Sequence, residues 1–210
     1  MTTWWKESIF LTVAALAVLM LAAALQPAPG YMDAEYYYAG GMQLAAGRGF
    51  SLPFLWNYLD QPAGLPHPAF TYWMPAASIL AAAGMKITGA TTFLAARWPF
   101  VLLAAFIPLV TLRLAEMLGA SRGTALFAGW LAVFPGYYLA FTTLTETFVF
   151  YMLGGSAFFL ILSAENGRLR SAGGWPRYVL LGLVAGGMHA ARADGLLWFG
   201  LAGLVWLTET

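Results

Sequence analysis

The stretch Ile9-Phe-Leu-Thr-Val-Ala-Ala-Leu-Ala-Val-Leu-Met-Leu-Ala-Ala-Ala-Leu25 indicates the class of this protein. It contains no charged residue, and it is long enough for a helix that crosses a lipid bilayer. Pro27 and Pro29 follow it, and because proline cannot continue a helix, the chain should leave the helix there. The alanines at its end resemble a signal-peptidase site, but the apolar runs that follow favour a retained membrane helix.

The composition of the whole chain agrees with a membrane protein. Apolar residues make up 61% of the 210 residues and charged residues only 9%, whereas soluble proteins contain about 25% charged residues. The net charge of +1 and the scattered basic residues argue against binding of nucleic acid. Because the chain has no cysteine, it has neither disulfides nor thiolate metal sites. We therefore expect an integral membrane protein.

Further apolar runs predict further membrane spans, so the expected fold is an all-α, polytopic transmembrane helical bundle of about six spans. The expected module covers residues 1–210 without a soluble domain. After residues 9–25, the predicted spans cover residues 93–118, 124–141, 147–163, 178–191 and 196–207.

The first external loop, about residues 27–92, is expected to carry amphipathic surface helices and the functional site. Residues 33–46 have the pattern of one such helix, with Asp33 as a candidate N-cap. The apolar piece 69–84 is short and contains Pro75, which favours a partial or re-entrant helix over a complete span.

The distribution of basic residues predicts the topology. If residues 69–84 do not cross, six basic residues share the side of the N-terminus and four lie opposite, which places the N-terminus in the cytoplasm. If they do cross, the count inverts. The six are Lys6, Arg113, Arg122, Arg168, Arg170 and Arg177, and the four are Arg48, Lys86, Arg97 and Arg192.

The favoured topology has a consequence for the polar residues. It collects most of them on the non-cytoplasmic face, where the carboxyl groups of Asp33 and Glu146 are expected to meet in one outward-facing hollow. The residues collected there are Asp33, Glu35, His67, Glu146, Arg192 and Asp194.

Each of these groups has a structural interpretation beside a functional one. Asp33 and Glu35 either complement a helix dipole or act as a general base or metal ligands. On a regular helix their side chains would diverge by about 160°. Glu146 begins a predicted span, where an acid either favours the first turn or serves a function, since ionisable groups at membrane depth are costly.

The remaining polar groups also have both a structural and a functional interpretation. His67 precedes Pro68 and is either a loop histidine or a ligand for a lipid phosphate. Arg192 and Asp194 either form an ordinary ion pair in a turn, or Arg192 holds a phosphate with two hydrogen bonds.

The Asp33-x-Glu35 pair directly after the first span resembles the signature of membrane-embedded glycosyltransferases of the GT-C fold. The chain looks most like the protein mannosyltransferase and aminoarabinose transferase branch. Leu65-Pro66-His67-Pro68, followed by Tyr72-Trp73, is similar to the Lys-Pro-Pro-Leu and Tyr-Trp segment of that branch, with His67 where lysine is usual.

Three later motifs extend the resemblance along the chain. Ala96-Arg97-Trp98-Pro99 is similar to the Arg-Leu-Pro that opens the family's next span. Thr145-Glu146 falls where the family has its second acidic residue, and Arg192-Ala-Asp-Gly195 resembles a later turn. Enzymes of this family usually have more spans, so the resemblance also implies that the chain is an N-terminal module of a longer enzyme.

The resemblance implies a function and a set of roles. A sugar would move from a polyprenyl-phosphate donor to a lipid, glycan or protein acceptor at the non-cytoplasmic face of a bacterial inner or plasma membrane. Asp33 would be the catalytic base, and Glu35 and Glu146 would position the acceptor or, together with Asp33, a divalent metal ion. The substrate-binding residues implied are His67, Tyr72, Arg97, Arg192 and Asp194.

Two other functions remain open at this point. A transporter or flippase for a lipid-linked or small solute would use the acids to carry protons or cations. Such a protein should place ionisable residues near span centres, whereas these acids lie at predicted span ends. A non-catalytic membrane subunit would supply packing surface only.

Overall fold

The structure, a computed structural model, describes residues 2–56, 63–163 and 175–209. Arg168 and Arg170, which enter the charge count above, lie outside the described residues. The helices are α1 (Thr2–Ala24), α2 (Met32–Ala45), α3 (Ala76–Thr88), α4 (Phe93–Ala104), α5 (Ile107–Met117), α6 (Arg122–Val133), α7 (Phe148–Leu162), α8 (Trp175–Ala191) and α9 (Leu196–Glu209).

The described chain is mostly helical, which confirms the all-α class. Two stretches are long and apolar enough to cross a membrane by length and composition, Trp4–Ala24 and Phe93–Met117. The second of these comprises α4 and α5, which are separated by a turn at residues 105–106. Helices α3, α7 and α9 are apolar but shorter, so the polytopic arrangement of about six spans stays a prediction.

Strands are almost absent from the described residues. Strand β1 (Ser51–Leu52) pairs antiparallel with β2 (His67–Pro68), and Leu52 lies opposite His67. This short ladder closes the irregular loop between α2 and α3.

Helix α6 ends earlier than the sequence pattern predicts. We expected a span to Phe141, but the helix stops at Val133, because Pro135 and Gly136 follow it. A 3₁₀ turn (Gly136–Leu139) and an irregular segment over residues 140–147 then lead into α7. This non-helical segment carries Glu146.

Helix α2 packs closely against α3, and glycines make the approach possible. A β-carbon on Gly40 would lie 2.6 Å from Ser78 Oγ, and one on Gly41 would lie 2.8 Å from the side chain of Ala81. Ser78 Oγ also donates to the Tyr37 carbonyl at 2.9 Å. Half of the residues of α2 are buried within the protein. The position of α2 along the membrane surface stays a prediction.

Arg97 joins α4 to the end of α1. Its guanidinium donates to the carbonyl oxygens of Ala23, at 2.7 Å, and Gln26, at 2.6 Å. It also lies over the Phe93 ring, at 4.9 Å from the ring centroid. Since the last carbonyls of a helix have no partner within the helix, Arg97 supplies donors to this end of α1, where the Ala23 oxygen also accepts from the Gln26 N–H.

Four charged residues join α1, α5 and α6 at the opposite end of α1. Arg122 forms ion pairs with Glu7 and Glu116, and Arg113 pairs with Glu116 at 2.9 Å. The Arg113 guanidinium also lies over the Trp4 ring, at 4.2 Å. We call Glu7, Arg113, Glu116 and Arg122 the N-terminal ion-pair network.

Candidate functional site

The first turn of α2 presents two carboxylates in different directions. Tyr31 is the N-cap, with extended backbone and no side-chain capping bond, so the prediction of Asp33 as N-cap is wrong. Asp33 and Glu35 both lie within the helix and therefore diverge. Asp33 is partly buried, whereas Glu35 is exposed. Only Asp33 therefore points towards the interior of the protein.

Glu146 is almost completely buried, with 3% of its surface exposed. It accepts hydrogen bonds from the backbone N–H of Thr147 and, at 3.1 Å, from the Thr147 hydroxyl. The preceding Thr145 hydroxyl donates to the carbonyl oxygen of Ala34 in the first turn of α2, at 2.8 Å. This bond joins residues 111 positions apart and holds the Glu146 segment against the Asp33 turn.

Asp33 and Glu146 lie within electrostatic range of each other. Burial raises the pKa of Glu146, and the charge of Asp33 raises it further, against the hydrogen bonds from Thr147 that lower it. Burial also raises the pKa of Asp33, while the positive charge of Arg192 lowers it. The pair therefore combines a buried acid whose pKa is raised with a second carboxyl that faces a cation.

Arg192 supplies the positive charge of this region. It follows the last residue of α8, and its Nε donates to Asp194 Oδ1 at 3.2 Å. Tyr151 of α7 donates to the same oxygen at 2.7 Å, and the Arg192 guanidinium lies 5.7 Å from the Tyr151 ring centroid. The pKa of Asp194 is lowered: partial burial raises it, but the Tyr151 hydrogen bond and the Arg192 charge outweigh this effect. The turn pair considered above is therefore present, and its arginine also interacts with both acids.

We call Asp33, Glu146 and Arg192 the acidic site. Its three side chains come from the start of α2, from the segment before α7 and from the end of α8. Glu146 and Arg192 lie at helix ends, not within a helix. The charges of Asp33 and Glu146 act on each other's surroundings and on the common neighbours Tyr31 and Tyr37. Their meeting in one outward-facing hollow stays a prediction.

Two tyrosines that the sequence reasoning did not single out adjoin the acidic site. The Tyr31 hydroxyl is buried and lies close to the Glu146 carboxyl, but outside standard hydrogen-bond geometry. Tyr37 is 2% exposed and interacts with both acids and with Arg192. Burial, with the neighbouring carboxyls, raises the pKa of both phenols, so both stay protonated. Their positions beside the Asp33-x-Glu35 pair were the available signal in the sequence.

Gln26 is a further residue that the sequence did not reveal. Its amide donates to the Ala140 carbonyl at 3.0 Å and accepts from the Thr143 hydroxyl at 2.5 Å. The end of α1 is thereby tied to the segment that carries Glu146. A polar residue between an apolar run and two prolines was its only mark in the sequence.

Three predicted substrate-binding residues make other contacts. His67 is buried, with its Nε2 at 2.9 Å from the Phe54 carbonyl oxygen. Tyr72 is 56% exposed and packs edge-on against Trp73, with 5.1 Å between ring centroids. Arg97 is committed to the end of α1 as described above. These contacts are structural, and the substrate-binding roles of the three residues stay predictions.

The predicted metal ligands do not assemble into a metal site. Among residues 2–56, 63–163 and 175–209, no group of three or more histidine, aspartate or glutamate side chains is arranged to hold a metal ion. Glu35 diverges from Asp33, and Arg192 brings positive charge to the remaining two carboxyls. The donor set therefore does not fit a divalent ion, and we derive no chemistry from one.

An apolar groove of about 400 Å³ is lined by segments that adjoin Glu146 and Arg192 in the chain. Its walls come from α7, directly after Glu146, and from α8, directly before Arg192, with further contributions from α3 and α4. Almost all of its lining is apolar, which suits a hydrocarbon chain better than a sugar. The lining residues include Leu103, Val149, Phe150, Leu153, Met188 and Ala190.

Comparison with protein-family models, with curated proteins and with solved structures finds no match for this chain. The function is therefore inferred from the site itself and from the motifs of the sequence.

Proposed function

We propose that this chain is a membrane-embedded glycosyltransferase module that moves a sugar from a polyprenyl-phosphate donor to an acceptor hydroxyl at the non-cytoplasmic membrane face. The observation that carries the proposal is the convergence of Asp33, Glu146 and Arg192. An apolar groove supports it, because its lining begins three residues after Glu146 in α7 and ends two residues before Arg192 in α8. In the proposed reaction the acids act on the acceptor hydroxyl, the cation binds the phosphate, and the groove holds the lipid tail.

The membrane setting is supported by composition and by two helices. The chain is 61% apolar, and Trp4–Ala24 and Phe93–Met117 each have the length and hydropathy of a membrane span. Arg97 ties the end of the first of these stretches to the start of the second. In the proposed topology this junction lies near the non-cytoplasmic face, at the same level as the acidic site.

Asp33 is the general base of the proposed reaction. It takes the proton from the acceptor hydroxyl as that oxygen attacks the anomeric carbon, and the bond from this carbon to the donor phosphate oxygen breaks. The bonding electrons leave with the polyprenyl phosphate. Burial raises the pKa of Asp33, which makes its carboxylate a stronger base, and the positive charge of Arg192 stabilises the ionised form. A raised pKa suits a group that takes up a proton near neutral pH.

Glu146 acts in its protonated form in this proposal. Its burial and the nearby charge of Asp33 favour the neutral carboxylic acid. A neutral acid can donate a hydrogen bond to the acceptor and avoids repulsion between two carboxylates. Thr147 orients it by donating to its Oε2. We therefore assign Glu146 to positioning the acceptor beside Asp33.

Arg192 binds the departing phosphate. About 39% of its side chain is exposed, so the guanidinium keeps donors available beyond its bond to Asp194. A guanidinium suits this role because it offers two parallel donors to phosphate oxygens. Asp194 holds the guanidinium of Arg192 in place, and the Tyr151 hydroxyl in turn donates to Asp194. The polyprenyl tail would extend from this phosphate into the apolar groove.

The test compares Asp33→Asn with Glu35→Gln in membranes that contain the chain, together with any further part of its natural polypeptide. Transfer of radiolabelled sugar from a panel of polyprenyl-phosphate hexoses and pentoses is measured. Asp33→Asn should lower the rate by roughly 10²–10⁴-fold, the usual effect of losing a general base. Glu35→Gln is the matched control, because Glu35 lies two residues away and is exposed.

Equal transfer by wild type and Asp33→Asn would overturn the role of Asp33. Uptake of a solute into sealed vesicles that stops when the proton gradient is dissipated, without any sugar transfer, would instead favour a transporter.

A further inference from the structure

A second groove lies at the other end of α1, far along the chain from the acidic site. It has a volume of about 270 Å³ and is formed by the first three turns of α1 and by residues near the α4–α5 turn. Apart from one serine and one threonine, its lining is apolar or aromatic. The lining residues include Trp4, Trp5, Ser8, Ile9, Val13 and Phe106.

Two hydrogen-bond donors in this region have no partner among the described residues. Ser8 is 6% exposed, and its hydroxyl makes no hydrogen bond. The indole N–H of Trp4 is likewise buried and unpartnered. A helical serine ordinarily bonds to the carbonyl four residues earlier, so its failure to do so here is unusual. Buried donors are rarely left unpaired, which indicates that something absent from the protein accepts from them.

The start of α1 also carries an exposed positive charge. The N-terminal ion-pair network contains two acids and two arginines, which balance each other. Lys6 adds one further positive charge on the exposed surface of α1. Trp5 is 63% exposed beside it, as is common for tryptophan at a membrane interface. An anionic group at the level of Lys6 would complement this charge.

We propose that this groove binds one anionic glycerophospholipid. The acyl chain lies in the groove, the ester oxygens accept hydrogen bonds from Ser8 and Trp4, and the phosphate lies near Lys6. This inference needs the membrane setting proposed above, but it does not depend on the glycosyltransferase reaction.

The chemistry of the groove favours a phospholipid over a protein helix. The acyl chain of a phospholipid is thinner than a helix and matches the apolar lining. The ester oxygens of the lipid accept hydrogen bonds and donate none, which matches the two unpartnered donors.

The test uses the full chain, purified in detergent micelles and stripped of lipid, with native mass spectrometry during titration with phosphatidylglycerol or phosphatidylcholine. Val13→Trp places a large side chain in the groove and should abolish the bound lipid. Met20→Trp is the matched control, because Met20 is a similarly exposed residue of α1 that does not line the groove. It should bind as wild type does.

Two further variants test the polar contacts. Ser8→Ala should weaken lipid binding by roughly two- to tenfold, as expected for the loss of one hydrogen bond. The same variant should unfold at an unchanged or higher temperature without lipid, because its hydroxyl has no protein partner. Lys6→Gln should remove the preference for phosphatidylglycerol over phosphatidylcholine, a preference that should also weaken at high salt.

The proposal is overturned if Val13→Trp and Met20→Trp bind lipid equally, or if Ser8→Ala is less stable without lipid. Equal binding of both phospholipids by wild type would overturn the role of Lys6. A dimer that Val13→Trp abolishes, with no bound lipid in wild type, would assign the groove to a second copy of the chain instead.

Discussion

The N-terminal ion-pair network and the acidic site are both charged clusters at helix ends, but their charge balance differs. In the network, Glu7 and Glu116 face two arginines, and the side chains stay between 25% and 43% exposed. In the acidic site, Asp33, Glu146 and the nearby Asp194 share the single guanidinium of Arg192, and Glu146 is buried. The network neutralises its own charge and joins three helices, whereas the acidic site keeps a surplus of acid.

The difference indicates what each cluster contributes. A buried carboxyl without a cation of its own lowers stability, so a protein that keeps one usually uses it. Exposed pairs that are fully matched contribute modestly to stability and need no further function. Substitutions in the acidic site should therefore change chemistry, and substitutions in the network should change stability.

The largest effect expected in this comparison is on the rate of sugar transfer when Glu146 is substituted. Two variants test whether Glu146 acts as a neutral hydrogen-bond donor or as a carboxylate. Glu146→Gln keeps a neutral donor and an acceptor for Thr147, so it should retain most of the sugar transfer. Glu146→Leu loses the donor and should lower the turnover rate by roughly 10²–10³-fold. Rates of both variants in the radiolabel assay check this. Equal loss in both variants would show that Glu146 acts as a carboxylate.

Arg97 lies near the acidic site along the chain but is expected to behave like a structural residue. Arg97→Met removes the hydrogen bonds to the carbonyl oxygens of Ala23 and Gln26 and should lower the free energy of unfolding by about 1–3 kcal/mol. Denaturant unfolding in detergent measures this loss. The control Lys86→Met should stay within about 0.5 kcal/mol, because Lys86 is exposed in the last turn of α3. An equal loss in both would refute the proposed junction of α1 and α4.

The pH dependence of stability should report the burial of Glu146. Its pKa is raised in the folded state, so between its ordinary value of 4.5 and the raised value the folded protein binds more protons than the unfolded chain. Stability therefore falls as pH rises through that window, by at most about 1.4 kcal/mol per pH unit from this group. Glu146→Gln should remove this slope. Unfolding curves of wild type and variant across that window provide the measurement, and parallel curves would contradict a buried Glu146.

The smallest expected effect lies in the N-terminal ion-pair network. Arg122→Gln removes two partly exposed ion pairs, each worth about 0.2–1 kcal/mol before screening by salt. The loss of unfolding free energy should shrink at high salt, and sugar transfer should not change. A loss of transfer without a loss of stability would reverse the comparison between the two clusters.

Several features of the site could be predicted from single residues. Counting basic residues predicted that Asp33 and Glu146 share one membrane face. Their charges do act on common neighbours, whereas the membrane topology itself stays a prediction. The divergence of Asp33 and Glu35 followed from helical geometry once both lay within α2. The Arg192–Asp194 pair followed from proximity in sequence.

Other features could not be predicted, because they depend on which segments pack together. Arg97 was expected to bind substrate, yet its guanidinium meets two carbonyls more than 70 residues away. His67 stood where a phosphate ligand was expected, and the pairing of β1 with β2 buries it against Phe54 instead. The only sequence signals for Tyr31 and Gln26 were their positions, beside the Asp33-x-Glu35 pair and between an apolar run and two prolines.

Helical class and apolar character were readable from the chain alone, since hydropathy and helix-breaking residues act over a few neighbouring positions. Which residues form hydrogen bonds or ion pairs with each ionisable group depends on the tertiary structure. The hydrogen bond from Thr145 to Ala34 spans 111 positions and brings Glu146 to the Asp33 turn. Burial and electrostatic interaction depend on such distant contacts, because they are properties of the packed surroundings and not of the local sequence.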